Sequence, residues 1–168
     1  MIVQQFPQRV VRVAMVAPTI FTESTPQVSP FILNLAFVKR WTQVLMHFVV
    51  HEAVGEQLRS ATKQDEVVTE QLIEDYSRVL YTADWDLAAI GLLRDSHLNT
   101  LPAPLESIEK PVLLMWGTED GWAPPDNANG LLDKIPNARL IEFEEIGHLP
   151  MHEVPDAFNT ALINFLDN

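Results

Sequence analysis

The sequence predicts an α/β fold in which parallel strands with flanking helices are interrupted by an all-helical insertion. A β-branched and almost unbroken apolar run, Val10–Val16, is typical of a strand buried on both faces of a parallel sheet. From about Ser29 to Ser96 the apolar residues recur instead with helical spacing. After Leu101 two strand–turn–helix units follow each other, which is the order of parallel strands joined by right-handed crossovers.

The predicted insertion contains helices with recognisable starts. Ser29 before Pro30 forms an N-cap followed by a proline at the first helical position, where the missing N–H costs nothing. The helix that follows carries one polar stripe at steps of four residues, made of Lys39, Gln43, His47 and His51. A second helix is predicted from Thr69, its cap, to Tyr81, and a third near residues 85–94.

The C-terminal part is predicted to hold the second and third strands and their helices. Val112–Trp116 is the first of these strands, and Asp126–Ile135 is a helix opened by two prolines. Arg139–Phe143 is the next strand, and Pro155–Leu166 is a closing amphipathic helix.

Composition narrows the class of protein. The chain has 168 residues, 47% of them apolar and 20% charged, with a net charge of −12. This acidic balance argues against nucleic acid or an anionic membrane as a partner, because both attract clustered Lys and Arg. The absence of cysteine excludes disulfides and thiolate chemistry. The N-terminus does not read as a signal peptide, and charges interrupt the run Phe31–Val50, so we expect a soluble, cytoplasmic protein without a transmembrane helix.

Two turns carry the candidate catalytic residues. Asp120 follows a strand in a Trp-Gly-x-x-Asp context, at the edge of a parallel sheet where ligands bind. His148 follows Gly147, which can adopt a strained backbone angle and direct the imidazole toward the same crevice. Glu119 competes with Asp120 for the role of acid, and Asp120 in a purely structural role would bind backbone N–H groups of its own turn.

Other polar residues have weaker functional patterns. His47 and His51 are four residues apart, but no His-Glu-x-x-His motif accompanies them, so we predict no metal site and no cofactor. His152 is predicted to lie on the surface at the start of the last helix. Tyr76 and Tyr81 are five residues apart and fall on different helix faces, which favours a core or rim role over paired acid catalysis.

The whole chain resembles the α/β-hydrolase superfamily, in its capped branch of esterases, epoxide hydrolases, dehalogenases and C–C hydrolases. The resemblance lies in the lead-in Phe6–Val10, the acid turn Trp116–Asp120 followed by Pro124, and the histidine turn Gly147–His148 followed by Glu153 and Pro155. It implies that residues 1–20 and 105–168 form the last three strands of the hydrolase core and that residues 21–104 form a helical cap. It also implies that Asp120 and His148 are the acid and the base of a catalytic triad.

The nucleophile of such a triad is missing from the sequence. In this superfamily it stands on a G-x-S-x-G elbow, yet none of the six glycines brackets a serine. By the superfamily spacing the elbow precedes Met1, so we expect the C-terminal part of a hydrolase, lacking a Ser or Asp nucleophile. Such a chain is expected to be inactive alone, and to self-associate or to need a complementary N-terminal half.

The resemblance implies hydrolysis of a small apolar, ester-like or related substrate. The alternative is a non-catalytic fragment that acts as a binding or interaction module. A cofactor-free lyase or oxygenase is a third reading, because one fold supports several reactions.

Overall fold

The computed structural model describes residues 1–18, 41, 53–95 and 104–167, and the chain divides into two compact units. The first unit contains the described residues of Met1–Phe21, Ser60–Val67 and Leu101–Asn168, and the second those of Thr22–Arg59 and Val68–Thr100. Ser60–Val67, which the sequence analysis assigns to the cap, thus belongs to the same unit as the strands. The helix predicted after Pro30, with His47 and His51, lies outside the described residues.

Three parallel strands form the sheet of the described part of the first unit. They are β1 (Val13–Val16), β2 (Val112–Gly117) and β3 (Ala138–Phe143), in the order β1-β2-β3. Val112 lies opposite Val13 on one side and opposite Ala138 on the other. The predicted parallel α/β architecture is therefore confirmed, with β2 as the central strand.

The central position of β2 follows from its uninterrupted apolar sequence. All its residues are buried, and successive side chains alternate between the two faces of the sheet. Trp116 and its neighbours on one face pack with the helix Asp126–Leu132, whereas Leu113 and Met115 pack on the other face with Phe158 and Phe165 of the last helix. A strand covered on both faces needs apolar side chains at every position.

The first strand is shorter and less buried than predicted. The expected strand Val10–Val16 begins only at Val13, and Val11 is 76% exposed. A 3₁₀ turn, Pro7–Arg9, precedes it, and only Met15 of its four residues is buried. In the described part β1 pairs with β2 alone, so one of its edges has no strand beside it.

Helices surround the sheet in the first unit. Those of the first unit are Ile2–Gln5, Asp126–Leu132, Pro150–Glu153 and Pro155–Asp167, with 3₁₀ turns at Pro7–Arg9, Asp65–Val67 and Leu105–Ser107. The predicted helix Asp126–Ile135 ends early, at Leu132. Val154 is not helical and separates the last two helices, because a residue followed by proline disfavours the α conformation.

The described part of the second unit is helical. Its elements are the helical residues 53–59, the helices Glu70–Ser77 and Trp85–Asp95, and the 3₁₀ turn Arg78–Tyr81. The predicted cap of the helix Glu70–Ser77 is present, since the Thr69 hydroxyl accepts a hydrogen bond from the Leu72 amide at 3.2 Å. Across both units, no described helix has the length and apolarity that crossing a bilayer requires.

Candidate active site

The acid turn follows β2 and is held by its own residues. One carboxylate oxygen of Asp120, Oδ1, accepts hydrogen bonds from the amides of Trp122 and Ala123, both at 2.8 Å. The indole N–H of Trp116 donates to the carbonyl of Ala123 at 2.8 Å and so joins the end of β2 to the far side of the turn. Asp120 therefore makes the backbone contacts expected of a turn aspartate, and these contacts leave its second oxygen for another partner.

The histidine turn follows β3 and contacts the acid turn through the backbone. The Glu119 amide donates to the carbonyl of Ile146 at 2.9 Å, and the Glu145 amide donates to the Thr118 hydroxyl at 2.9 Å. Glu145 has a φ of 58°, a left-handed conformation that non-glycine residues seldom adopt. The contacts of the acid turn thus help to hold the bend that leads the chain toward His148.

Gly147 is required for a different reason than the sequence analysis gives. No glycine in the described part has a positive φ, so the expected strained angle is absent. A Cβ at Gly147 would lie 2.6 Å from the Ala61 carbonyl oxygen and 3.1 Å from Thr62 Cα. Glycine is needed because the segment Ser60–Val67 approaches the backbone of the histidine turn closely.

The structure brings His148 and Asp120 together. His148 Nδ1 lies 2.8 Å from Asp120 Oδ2, which agrees with the hydrogen-bond distance expected from the two turns. The Asp120 side chain is wholly buried and that of His148 is 20% exposed. Because a carboxylate only accepts, Nδ1 carries a proton in this contact, and in the neutral imidazole the lone pair is then on Nε2. This is the tautomer that a general base needs.

Glu119, the competing acid, lies elsewhere. Its carboxylate pairs with Lys63 Nζ at 2.7 Å, and both side chains are about half exposed, at 46% and 49%. The hydrogen bond that the Lys63 ammonium donates to the Glu119 carboxylate raises the pKa of Lys63 above its ordinary value. The carboxylate next to the imidazole is therefore that of Asp120.

The sequence did not predict two neighbours of the Asp120–His148 pair, which are Trp122 and the segment that contains Ser60 and Ala61. The Trp122 ring centroid is 5.4 Å from that of His148, and its indole N–H donates to the Ser60 hydroxyl at 3.2 Å. The amide of His148 donates to the Ala61 carbonyl at 2.7 Å. Ser60 lies 62 residues before Trp122, and Ala61 lies 87 residues before His148, so no local spacing could have linked them to the site.

The other polar residues considered in the sequence lie outside the acid turn and the histidine turn. His152 is partly exposed, and it lies in the helix Pro150–Glu153 rather than at the start of the last helix as predicted. Tyr76 and Tyr81 belong to the second unit and are 41% and 68% exposed, and burial of its remainder raises the pKa of Tyr76. Among the described residues, no group of three or more His, Cys, Asp or Glu side chains could hold a metal ion.

Comparison with known proteins finds hydrolases among the relatives. The chain is 25% identical over 130 residues to the uncharacterized hydrolase YugF of Bacillus subtilis, which covers 77% of this chain and 45% of the relative. It is 38% identical over 64 residues to the 2-hydroxy-6-oxononadienedioate/2-hydroxy-6-oxononatrienedioate hydrolase of Cupriavidus pinatubonensis, covering 38% of this chain and 22% of the relative.

Solved structures give the same fold. The meta-cleavage product hydrolase of Pseudomonas fluorescens IP01 superposes with a TM-score of 0.71 at 17% identity, covering 98% of this chain and 58% of that one. Both the Bacillus and the Pseudomonas hydrolase match most of this chain. The chain spans only about half of the length of each of them. The model of the alpha/beta hydrolase family matches residues 1–161, and the chain belongs to this family.

Proposed function

We propose that this chain supplies the acid, Asp120, and the base, His148, of a hydrolase triad whose nucleophile lies outside these 168 residues. The buried 2.8 Å contact between His148 Nδ1 and Asp120 Oδ2 is the observation that carries the proposal. Membership of the family supports a hydrolase, and the missing G-x-S-x-G elbow supports an external nucleophile.

In the proposed reaction His148 moves protons and Asp120 holds it in position. With a serine nucleophile, Nε2 of His148 accepts the hydroxyl proton as the oxygen attacks the substrate carbonyl, and then delivers that proton to the leaving group. With an aspartate nucleophile, Nε2 instead takes a proton from the water that opens the covalent ester. In both cases Asp120 stabilises the imidazolium that forms between the two proton transfers.

The proposed substrate is a small, apolar, ester-like or related molecule. Trp122 supports this class, because its ring lies beside the imidazole and is 46% exposed, so it offers an apolar surface next to the reacting atoms. The Cupriavidus relative is named as a hydrolase of 2-hydroxy-6-oxononadienedioate and 2-hydroxy-6-oxononatrienedioate, so we include a 2-hydroxy-6-oxo dienoate among the proposed test substrates.

The free edge of β1 supports a complementary N-terminal half as partner. Within the described residues β1 pairs only with β2, and a groove of about 450 Å³ runs beside it. Residues Met1–Val3, Val10 and Arg12–Ala14 line this groove and are mostly apolar. A strand edge with an apolar border recruits another strand, so the chain without its complement is expected to self-associate.

The catalytic proposal is tested by complementation. The chain alone should hydrolyse an activated short-chain ester, an epoxide, a haloalkane or a 2-hydroxy-6-oxo dienoate at the background rate, because oxyanion donors and nucleophile are missing. Adding an α/β-hydrolase N-terminal half that carries the elbow should restore turnover. Turnover by the purified chain alone would contradict the external nucleophile, and no turnover with a folded complement would favour a non-catalytic module.

Matched variants test the two residues. His148→Ala should abolish the restored activity, whereas His152→Ala, in the following helix, should retain it. Asp120→Asn should lower kcat strongly, since the same change in a serine protease triad costs about 10⁴-fold, whereas Glu119→Gln should keep it near the wild-type value. Restored turnover that survives His148→Ala would refute the assignment of the base.

The assembly proposal has its own measurement. Size-exclusion chromatography with light scattering should find the chain alone as oligomers or aggregates, and the complemented protein as a defined heterodimer. A stable monomer of the chain alone at tens of micromolar would contradict the proposed role of the β1 edge.

A further inference from the structure

Glu153 is a buried carboxylate that the catalytic proposal does not use. It is 6% exposed, and the hydrogen bonds to its oxygens come from backbone amides. Oε1 accepts from Gly147 at 3.0 Å, and Oε2 accepts from Lys63 at 2.7 Å and from Gln64 at 3.3 Å. Burying a carboxylate is unfavourable unless donors replace its water, and here three amides from two distant segments do so.

These hydrogen bonds connect Glu153, the histidine turn and the segment Ala61–Lys63 to one another. The amide of Gly147 binds Glu153, and the next amide along the chain, that of His148, binds the Ala61 carbonyl at 2.7 Å. Ala61 leads directly into Lys63, whose amide returns to Glu153. Two consecutive amides of the histidine turn are therefore fixed to one scaffold, and Glu153 joins the two parts of that scaffold.

We propose that Glu153 is the positioning residue of His148: it fixes the Gly147–His148 backbone and thereby the direction of the imidazole toward Asp120. The inference rests on the proposed function, in which His148 is the base, but Glu153 itself touches no reacting atom. Its effect on His148 passes through the peptide that joins Gly147 to His148 and through the loop at Lys63.

The side-chain chemistry at this position defines two informative variants. Glu153→Gln keeps the shape but offers one oxygen, and its NH₂ group faces an amide donor, so it cannot satisfy both Gly147 and Lys63. Glu153→Asp keeps both oxygens and the charge, but it is one methylene shorter and reaches one segment better than the other. Glu144→Gln is the matched control, since Glu144 is exposed in the same turn.

The experiment measures the histidine rather than turnover. The 168-residue chain, alone and in complemented form, is labelled with ¹⁵N-histidine, and the Nδ1–H resonance and tautomer of His148 are read by NMR, with His148→Ala for assignment. We expect the Nδ1–H tautomer to dominate in the wild type and in Glu144→Gln. It should fall several-fold in Glu153→Gln, with an intermediate population in Glu153→Asp.

Each other outcome contradicts the inference. A wild-type His148 spectrum in a folded Glu153→Gln or Glu153→Asp variant would overturn it. Loss of the cooperative fold in both variants would make Glu153 a residue of the fold and would also overturn it. Because the readout needs no substrate, a complemented protein that is inactive but shows the expected spectra would refute the proposed function and leave the positioning role intact.

Discussion

The two turns that meet at the candidate site are held in different ways. The acid turn closes on itself: Asp120 binds the amides of Trp122 and Ala123, and Trp116 binds the carbonyl of Ala123. The histidine turn instead depends on residues outside the turn. Its amides bind the Ala61 carbonyl and the Glu153 carboxylate, and its bend is held by the Thr118 hydroxyl.

One candidate catalytic residue is thus positioned by its own turn, and the other by residues outside its turn. The Asp120 carboxylate is held by amides of its own turn, so the position of this side chain is encoded within a few residues. The position of His148 is encoded jointly by its own turn and by a segment 87 residues earlier, which starts at Ala61. Substitutions in the acid turn should therefore act near Asp120, whereas changes at the loop of Ala61 should reach His148.

The largest effect is expected where the two turns touch. A Cβ at Gly117 would lie 2.1 Å from the Gly147 carbonyl oxygen and 2.3 Å from that of Ile146, both backbone atoms that cannot rotate away. Gly117→Ala should lower the free energy of unfolding by about 3 kcal/mol or more, or prevent folding. Urea denaturation of the complemented protein measures this change.

Gly121→Ala is the control for that substitution. In the described part of the chain, no heavy atom apart from those of the adjacent residues lies within 4 Å of a Cβ at Gly121, in the acid turn itself. The free energy of unfolding should therefore change by less than about 1 kcal/mol. Equal stabilities for the two variants would mean that the turns are not in the contact described here.

A smaller effect should distinguish the tryptophans of the acid turn. Trp116 is wholly buried, and Trp116→Phe leaves the buried carbonyl of Ala123 without its donor, at a cost of roughly 1–3 kcal/mol in unfolding free energy. Trp122 is 46% exposed, and Trp122→Phe loses only an exposed bond to Ser60, at a cost below about 1 kcal/mol. A reversed order in thermal melts would show that the acid turn is not self-contained.

The smallest effect concerns the exposed ion pair that links Glu119 of the acid turn to Lys63 of the segment Ser60–Val67. Lys63→Met and Glu119→Gln should each change the unfolding midpoint less than Trp116→Phe, because solvent screens the Lys63–Glu119 pair. The raised pKa of Lys63 means that the folded state binds this proton more tightly than the unfolded state.

The pH dependence of that pair has a definite sign. Its contribution is complete below the ordinary pKa of lysine and disappears as the pH rises through the raised pKa of Lys63. Denaturation at pH 7 and above pH 11 measures it, with Lys63→Met as the reference. A difference between wild type and variant that grows with pH would contradict the pairing of Lys63 with Glu119.

The sequence predicted the elements whose causes are local. A few neighbouring residues were enough to predict the buried strand β2, the capping hydroxyl of Thr69 and the Asp120 turn. The reason for Gly147 was not, because the atoms that exclude a side chain there belong to Ala61 and Thr62. The early end of the helix Asp126–Leu132 and the late start of β1 were not predicted either.

The register of the sheet also implies an order of assembly. Val112 pairs with Ala138 in the same C-terminal part, whereas its other partner, Val13, is separated from it by a loop roughly four times longer. Closing the longer loop costs about 1.2 kcal/mol more in chain entropy. We therefore expect β2 and β3 to associate first and β1 to join late, so that substitutions in β1 alter mainly the rate of unfolding.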